Sequence, residues 1–320
     1  MANPTFSIIG AGNMAVSMAM AANGSRSSLT PYAIASASNP GNAGALCKQF
    51  GFQKAYASYE ELLSDSNVEL VYVSTLIGQH YEHVKQCLAH GKHVLCEKTF
   101  TMNAQQAEEL VEMAANRKLF LGEAMWTRFL PFVAAAKRVI NSGEIGAITE
   151  ITTNIGRPSL NSFRHTNAEM GGGALLDRGI YAVTFAELFL GKENESISTY
   201  AEIENRVDLE NSIAITYQNG AVSKLKSSIK NMLGFHAVIS GTKGRLDFPI
   251  FWAAQQFTIT TGAGQKEVAL PFEVNGYEYE LRAAAAAIAQ NKNQFDEFPW
   301  ADTLRIMHLL DWLRAEWNRK

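Results

Sequence analysis

Asp177 and Tyr181 are the residues of this sequence whose types and spacing most clearly suggest chemistry. They lie four positions apart in an otherwise apolar, helix-like run, which places both side chains on one helix face. Three glycines at 171–173 precede the run, so the chain can approach another group closely there. Far upstream, Glu97 and Lys98 end another apolar run. A tyrosine has an ordinary pKa of about 10, and a lysine ammonium nearby would lower it, so that the phenol could exchange a proton with an alcohol or a carbonyl.

Each of these residues also has a structural interpretation. Tyr181 could be a half-buried core tyrosine, Asp177 a buried polar group with a backbone partner, and the Glu97–Lys98 pair a solvated salt bridge. The position of Lys98 after an apolar strand, and the pairing of Asp177 with Tyr181 on one face, favour the chemical interpretation.

A glycine-rich turn near the N-terminus offers a place for a nucleotide. Gly10 and Gly12, followed by Asn13, Met14 and Ala15, form a G-x-G-x-x-A motif between a predicted strand and a predicted helix. The first glycine allows a tight turn, the second lets the backbone approach a pyrophosphate, and the helix N-terminus attracts negative charge. An ordinary strand–helix turn is the alternative, and the place of the motif inside an alternating βα array favours the nucleotide site.

The end of the second predicted strand, at residues 35–39, bears on which nicotinamide cofactor is used. An NAD site usually carries Asp or Glu there to bind the ribose 2′-hydroxyl. This segment has no acidic residue, and Ser36 and Ser38 offer small donors that leave room for a 2′-phosphate. The sequence therefore favours NADP(H) over NAD(H), although the segment contains no arginine.

Further candidates follow predicted strands or lie where the two predicted domains join, which are common places for ligand sites. The residues expected near the cofactor are Thr75, Leu76, His80, Glu97, Lys98, Trp126 and Arg128. Trp126 could cover a planar ring, and Arg128 could bind a phosphate or a carboxylate. Arg164 and His165 are candidates to line the substrate pocket. The alternative for Trp126 is a core residue at the junction. The alternative for Arg164 and His165 is an ordinary surface loop.

The elements that must position these residues form two blocks. Over residues 1–122, short apolar runs alternate with amphipathic stretches, which predicts βαβ units and a doubly wound parallel Rossmann sheet that binds the dinucleotide. Over residues 123–320, long alternating stretches separated by turn pairs predict an α+β domain on a large, mostly antiparallel open sheet. We expect this second domain to bind the substrate and to form a homodimer, because a sheet face without helices would expose apolar area. The final helix, over 301–318, is a candidate to pack back on the first domain.

Composition narrows the class of function. Of the 320 residues, 47% are hydrophobic and 18% are charged, which is ordinary for a globular protein, and the formal net charge is -3. The sequence contains no cluster of basic residues that would indicate nucleic-acid binding. The cysteines Cys47, Cys87 and Cys96 lack metal-type spacing and are expected to be buried, reduced thiols. The sequence shows no secretory signal and no apolar run of about 18 residues, so we expect a cytoplasmic protein without a membrane span. No metal site is predicted among the histidines, and the G-x-S-x-G hydrolase motif is absent.

These motifs resemble those of the Gfo/Idh/MocA oxidoreductase family, named for glucose-fructose oxidoreductase and inositol dehydrogenase. The resemblance extends over nearly the whole chain and rests on the turn at 10–12, the Glu97–Lys98 pair, and the glycine-rich run that ends in Asp177 and Tyr181. Within the family, segments 123–129 and 171–177 are most similar to the dimeric dihydrodiol dehydrogenases and their bacterial relatives.

The resemblance implies hydride transfer between nicotinamide C4 and a hydroxyl or carbonyl carbon of a sugar, polyol or cyclic diol. It further implies that Lys98, Asp177 and Tyr181 form the acid/base group and that the C-terminal sheet often mediates dimerisation. The usual proline after the lysine is Thr99 here, which predicts a less fixed backbone. Many members have histidine at the position of Tyr181, whereas the dihydrodiol dehydrogenase branch resembles this chain in having tyrosine. Some NADP-using relatives have arginine where this chain has Ala37.

Two other functions remain open at this stage. One is a sensor that binds NADP without turnover, as some proteins resembling the family do. The other is a biliverdin-reductase-like or other non-sugar reductase. The intact set of Lys98, Asp177 and Tyr181 favours an enzyme over a sensor.

Overall fold

The computed structural model describes residues 3–23 and 27–319, and the chain packs as two compact units. Unit 1 contains residues 1–129 and 273–308, and unit 2 contains residues 130–272 and 309–320. The predicted domain boundary after residue 122, and the packing of the final helix on the first domain, stay predictions.

Unit 1 is built on a parallel sheet with the strand order β3-β2-β1-β4-β5-β6 within the described residues. The strands are β1 (Thr5–Ile9), β2 (Thr30–Ala35), β3 (Lys54–Tyr56), β4 (Leu70–Val73), β5 (His93–Glu97) and β6 (Leu121–Ala124). The order reverses at β1, so the turns after β1 and β4 lie side by side at the carboxyl edge, where ligands bind in such sheets. The predicted doubly wound sheet is confirmed.

The helices of unit 1 begin at residues that satisfy their free N–H groups. Asn39 accepts a hydrogen bond from the Asn42 N–H at 3.1 Å before Pro40 opens the second helix, and Asn103 caps the fifth helix through the Gln106 N–H at 2.9 Å. The helices of this unit, with the last one continuing into unit 2, are α1 (Asn13–Asn23), α2 (Pro40–Phe50), α3 (Tyr59–Ser64), α4 (Ile77–Ala89), α5 (Ala104–Arg117), α9 (Glu278–Ala289) and α10 (Trp300–Asn318).

Unit 2 is built on a second, mostly antiparallel sheet with the order β14-β13-β12-β11-β7-β10-β9-β8 in the described chain. Its strands are β7 (Ile148–Gly156), β8 (Asn194–Glu204), β9 (Val207–Tyr217), β10 (Val222–Ser228), β11 (Ala237–Gly241), β12 (Gly244–Phe248), β13 (Gln256–Thr261) and β14 (Gly264–Ala269). Strands β7 and β10 pair in parallel. The helices that begin in this unit are α6 (Pro131–Asn141), α7 (Phe163–Thr166) and α8 (Ile180–Leu190). The predicted large antiparallel sheet is confirmed.

The two faces of this sheet differ in polarity. Ile151, Ile213 and Leu225 are buried on one face. The other face carries polar side chains, including a Lys226–Glu210 ion pair at 2.8 Å. The expectation of an exposed apolar face is therefore wrong in the central strands, because strict alternation places lysine, glutamate, serine and threonine outwards.

Some elements differ from their sequence-based predictions. Strands β3 and β14 lie at the edges of their sheets, and their residues are mostly exposed, so no apolar alternation marks them. The short strand β12 was also not predicted. It begins at Gly244, the second residue of the turn pair Lys243–Gly244. The helix-like run before Tyr181 contains a π-helical turn, Leu175–Gly179, which leads directly into α8. None of the described helices is both long enough and apolar enough to cross a membrane.

Candidate active site

The glycine turn after β1 has the geometry that its motif predicts. Gly10 has a φ of +93°, and a Cβ atom there would lie 2.9–3.1 Å from atoms of Ser74. A Cβ at Gly12 would meet no described atom within 4 Å, apart from its neighbours in sequence. Gly12 and Asn13 are exposed and Met14 is partly exposed where α1 begins. The backbone is therefore open to a phosphate group beside the N–H groups of the first helical turn, so these residues fit a bound dinucleotide.

The loop after β2 is shaped by its own hydrogen bonds. Ser36 is buried, and its hydroxyl accepts the Asn39 N–H at 3.1 Å. Asn42 donates a side-chain hydrogen bond to the Ala11 carbonyl, which ties this loop to the glycine turn. Ser38 is exposed. Of the two serines predicted to bind a 2′-phosphate, Ser38 is thus the accessible one, whereas Ser36 shapes the loop.

The loop after β4 is joined to the chain that follows Lys98. The ring nitrogens Nε2 and Nδ1 of His80 lie 3.1 Å from the Thr75 carbonyl and 3.0 Å from the Thr99 carbonyl, respectively. His80 is buried, and burial lowers its pKa to about 4. Leu76 caps α4, with its N–H 3.4 Å from Gln79 Oε1. In this structure the predicted cofactor residue His80 holds two loops of the site in place.

Lys98 follows the last residue of β5 and is partly buried. Glu97 is buried and accepts a hydrogen bond from the Tyr72 hydroxyl. Beyond the lysine, the Phe100 N–H donates to Glu123 Oε1 at 3.2 Å. This bond and the contact of Thr99 with the His80 ring tether the backbone after Lys98, and its predicted looseness relative to a proline stays a prediction.

The segment after β6 forms a short 3₁₀ helix, Trp126–Phe129. The Trp126 ring stacks on Tyr277, with centroids 4.2 Å apart and planes 10° apart. Arg128 makes an ion pair with Asp302 at 3.1 Å and lies 4.3 Å from the centre of the Phe298 ring. The charge of Arg128, predicted to bind a cofactor phosphate or a carboxylate, is therefore matched within unit 1 by Asp302.

In unit 2, Asp177 is surrounded by basic side chains. Its carboxylate is bonded to Arg164, and it lies 3.2 Å from His165 Nε2 and 3.5 Å from Arg178 Nε. Arg164 is half exposed, whereas the side chains of Asp177 and His165 are mostly buried. The structure thus brings the predicted catalytic aspartate together with both predicted substrate residues.

Tyr181 lies in the first turn of α8, immediately after the π-helical turn that carries Asp177. It is 8% exposed, and its ring centre lies 5.5 Å from that of Trp252. Trp252 in turn lies 6.3 Å from the Phe235 ring. Trp252 is distant in sequence from Tyr181, and no spacing pattern could have associated the two residues.

The glycines before Asp177 pack against the protein itself. A Cβ at Gly172 would lie 2.7 Å from the His165 carbonyl oxygen, and a Cβ at Gly173 would lie 2.2 Å from Asp208 Oδ1. Asp208, on β9, accepts the Leu175 N–H at 2.8 Å, and burial raises its pKa to about 7. The close approach expected at these glycines is therefore made by the chain that positions Asp177, and Asp208 is a residue that the sequence-based prediction missed.

Other buried acids lie near Glu97 in unit 1. Burial raises the pKa of Glu123 on β6 to about 7. Glu280 on α9 is fully buried. Neither was predicted, since a glutamate in a strand or helix carries no sequence signal of burial. Within the described residues, no group of three His, Cys, Asp or Glu side chains is arranged as metal ligands. Lys98 lies in unit 1 and Tyr181 in unit 2, and their joint action stays a prediction.

Known proteins resemble the chain along most of its length. It is 38% identical over 214 residues to trans-1,2-dihydrobenzene-1,2-diol dehydrogenase of Mus musculus, covering 66% of this chain and 64% of that protein. It is 40% identical over 193 residues to the Sus scrofa protein of the same name, covering 60% and 58%. The matches thus span less than two thirds of the length of these curated relatives.

Solved structures share the complete fold. KijD10, a 3-ketoreductase from Actinomadura kijaniata in complex with NADP and TDP-benzene, superposes with a TM-score of 0.88 at 26% identity, covering 98% of this chain and 97% of that one. Levoglucosan dehydrogenase in complex with NADH and levoglucosan has the same fold, with a TM-score of 0.84 at 21% identity and coverage of 98% and 97%.

Two family descriptions match the chain in succession. Residues 5–124, which include the glycine turn and Lys98, match the oxidoreductase family with the NAD-binding Rossmann fold. Residues 133–247, which include Asp177 and Tyr181, match the GFO/IDH/MocA C-terminal domain. With both of its characteristic parts present in order, the chain belongs to the GFO/IDH/MocA oxidoreductase family.

Proposed function

We propose that this protein is an NAD(P)-dependent dehydrogenase or reductase that acts on a hydroxyl or carbonyl carbon of a sugar, a polyol or a cyclic diol. The observation that carries the proposal is the presence of Lys98, Asp177 and Tyr181 in a member of an oxidoreductase family whose glycine turn is open to a dinucleotide. The names of the relatives support the substrate class, since they include a diol dehydrogenase and a 3-ketoreductase in complex with TDP-benzene.

The cofactor would be held by the carboxyl edge of the first sheet. Gly10, Gly12, Asn13 and Met14 would bind the pyrophosphate through backbone N–H groups. The nicotinamide, when bound, supplies or accepts the hydride. We propose a preference for NADP(H), because residues 36–39 lack an acid and Ser38 is exposed. The complex of KijD10 with NADP supports this preference.

The proton would be moved by side chains of this protein. In the proposed mechanism, Lys98 and Tyr181 hold the reacting oxygen of the substrate, and the Tyr181 phenol donates the proton to a carbonyl or accepts it from an alcohol. In this mechanism, the ammonium group of Lys98 would favour the phenolate form of Tyr181 and so would lower the pKa of the phenol. Asp177, paired with Arg164 and His165, would orient the substrate side of the site.

The acid/base assignment is tested by replacing its two members. Tyr181→Phe and Lys98→Met should each lower kcat by about 10²–10⁴-fold, the usual contribution of general acid–base catalysis. NADPH affinity, measured by fluorescence titration, should stay nearly unchanged. Glu112→Gln, on the exposed face of α5, is the matched control and should keep full activity. Full activity in either test variant would disprove the role of that residue.

The same assay separates the enzyme from its alternatives. Wild-type protein is incubated with NADPH or NADP⁺ and a panel of cyclic diols, dicarbonyls, keto-sugars and aldoses. Turnover of a sugar or diol supports the proposal, and turnover of another carbonyl class alone supports a non-sugar reductase. Tight NADPH binding without turnover of any panel member would favour a sensor.

We also propose that the protein is a homodimer that associates through the sheet of unit 2. Because the central face of this sheet is polar, the proposed dimer interface would consist mainly of hydrogen bonds and ion pairs. The exposed side chains of Tyr200 and Ile203 on the edge strand β8 would add apolar contacts. A monomeric mass in sedimentation equilibrium would contradict this assembly.

A further inference from the structure

Glu280 on α9 is a buried carboxyl group that the proposed reaction does not use. It is 0% exposed, and neither of its carboxyl oxygens has a hydrogen-bond partner in the described chain. Glu278, two positions earlier and equally buried, accepts N–H hydrogen bonds from residues 274, 275 and 276 at 2.9, 3.1 and 2.7 Å. A buried carboxylate needs such donors, so these two glutamates differ in the charge that they can carry.

Glu280 shares its buried surroundings with acidic and phenolic side chains of the described chain. Burial and the negative charge of Glu97 on β5 raise the pKa of Glu280 well above its ordinary value. Burial and the charge of Glu97 raise the pKa of Tyr277, which precedes α9. Tyr72 on β4 completes the group, and its hydroxyl donates to Glu97 Oε1. Glu123 on β6 adjoins the group through its electrostatic interaction with Glu97.

We propose that Glu280 is a positioning residue that stays a neutral carboxylic acid, so that the negative charge of this cluster resides on Glu97, the residue before Lys98. Two carboxylates that share a buried site repel each other, and Glu97 has the hydrogen-bond donor that stabilises an anion. The single negative charge then lies on the residue that precedes Lys98 in the chain. A second negative charge in this cluster would favour the ammonium form of Lys98 further and make it a poorer donor to the substrate. Only the role of Lys98 in this inference rests on the proposed function.

The protonation state of Glu280 can be measured through the pH dependence of unfolding, without turnover. If Glu280 is neutral when folded and ionised when unfolded, the folded state holds one proton more, and wild-type stability falls as the pH rises above about 4.3. Glu280→Gln removes that proton. The unfolding constant of the wild type should therefore rise, relative to that of the variant, about tenfold per pH unit above about pH 5. The exposed control Glu112→Gln should give a constant ratio.

A constant ratio for Glu280→Gln would overturn the proposal. If the glutamine variant does not fold, Glu280→Met replaces it, and infrared difference spectra against the wild type at neutral pH report the same group. A carbonyl band of a protonated carboxyl in the wild type is the expected result. A carboxylate band in its place would refute neutrality.

The positioning role can be measured on Lys98 through the pH dependence of its acetylation in the cofactor-free protein, read by mass spectrometry. Glu280→Gln should leave the titration of Lys98 unchanged, whereas Glu97→Gln should raise its reactivity near neutral pH about tenfold, as a pKa one unit lower would. Equal shifts in both variants would show that Glu280 carries charge, and no shift in Glu97→Gln would refute the link to Lys98. Because none of these three measurements uses substrate, a failure of the proposed dehydrogenase activity would not alter their results.

Discussion

The glycine turn allows a sharp prediction, because its two glycines are needed for different reasons. Gly10→Ala places a methyl group 2.9–3.1 Å from Ser74, in a backbone with φ of +93°. A left-handed backbone conformation costs an alanine about 1–2 kcal/mol, and the displaced contact adds about 1–2 kcal/mol more. We therefore expect the free energy of unfolding of the Gly10→Ala variant to fall by about 2–4 kcal/mol, which lowers Tm by roughly 5–15 °C.

Gly12→Ala is the matched counterpart, since its methyl group meets no described atom within 4 Å other than sequence neighbours. Its stability should stay within about 0.5 kcal/mol of the wild type. The methyl group would instead occupy the space in which a pyrophosphate approaches the helix. Loss of one charge-assisted hydrogen bond, about 1.5–3 kcal/mol, weakens NADPH binding by roughly 10–150-fold.

Thermal unfolding with and without NADPH, together with calorimetric titration, measures both effects. The expected pattern is a destabilised Gly10 variant and a stable Gly12 variant that binds the cofactor poorly. Wild-type affinity in Gly12→Ala would refute the assignment of this turn to the dinucleotide. An unchanged Tm in Gly10→Ala would refute the steric argument.

Two further substitutions test the loop after β2 and the buried acid on β9. Ser38→Asp should weaken NADPH binding at least about tenfold while sparing NADH, because a carboxylate repels a 2′-phosphate; equal losses for both cofactors would contradict the predicted preference. Asp208 has a pKa of about 7, raised by burial, so the folded state retains its proton and wild-type stability should fall relative to Asp208→Asn as the pH rises. Urea unfolding should show a relative loss of about 4 kcal/mol between roughly pH 4 and 7, and a pH-independent difference would disprove the shift.

The fold was largely predictable, because it depends on local patterns. The apolar runs at β1, β4 and β5 are continuous and buried, as parallel strands between helices require, and the turn at Gly10 follows the first of them. Edge strand β14 was missed because its residues are nearly all exposed, and only pairing with β13 defines it. The alternation of apolar and polar residues reveals a strand only where the strand buries one face. A strand without a buried face therefore gives no signal in the sequence.

The candidate site was predictable in its residue types but less so in their partners. The structure groups Asp177 with Arg164 and His165, to which the predictions gave separate roles. Arg128 pairs with Asp302, which lies far along the chain, and Gly173 makes room for Asp208 on another strand. Such pairings depend on tertiary packing, and a single sequence contains no periodicity that reports them.

The buried imidazole of His80 has a consequence for kinetics. The carbonyls of Thr75 and Thr99 beside its ring nitrogens favour the protonated ring, but burial outweighs them and lowers the pKa to about 4, so the ring is uncharged throughout the physiological range. An inflection in the rate near neutrality would therefore not originate from this histidine. In the proposed mechanism, such an inflection would instead report the acid/base pair of Lys98 and Tyr181.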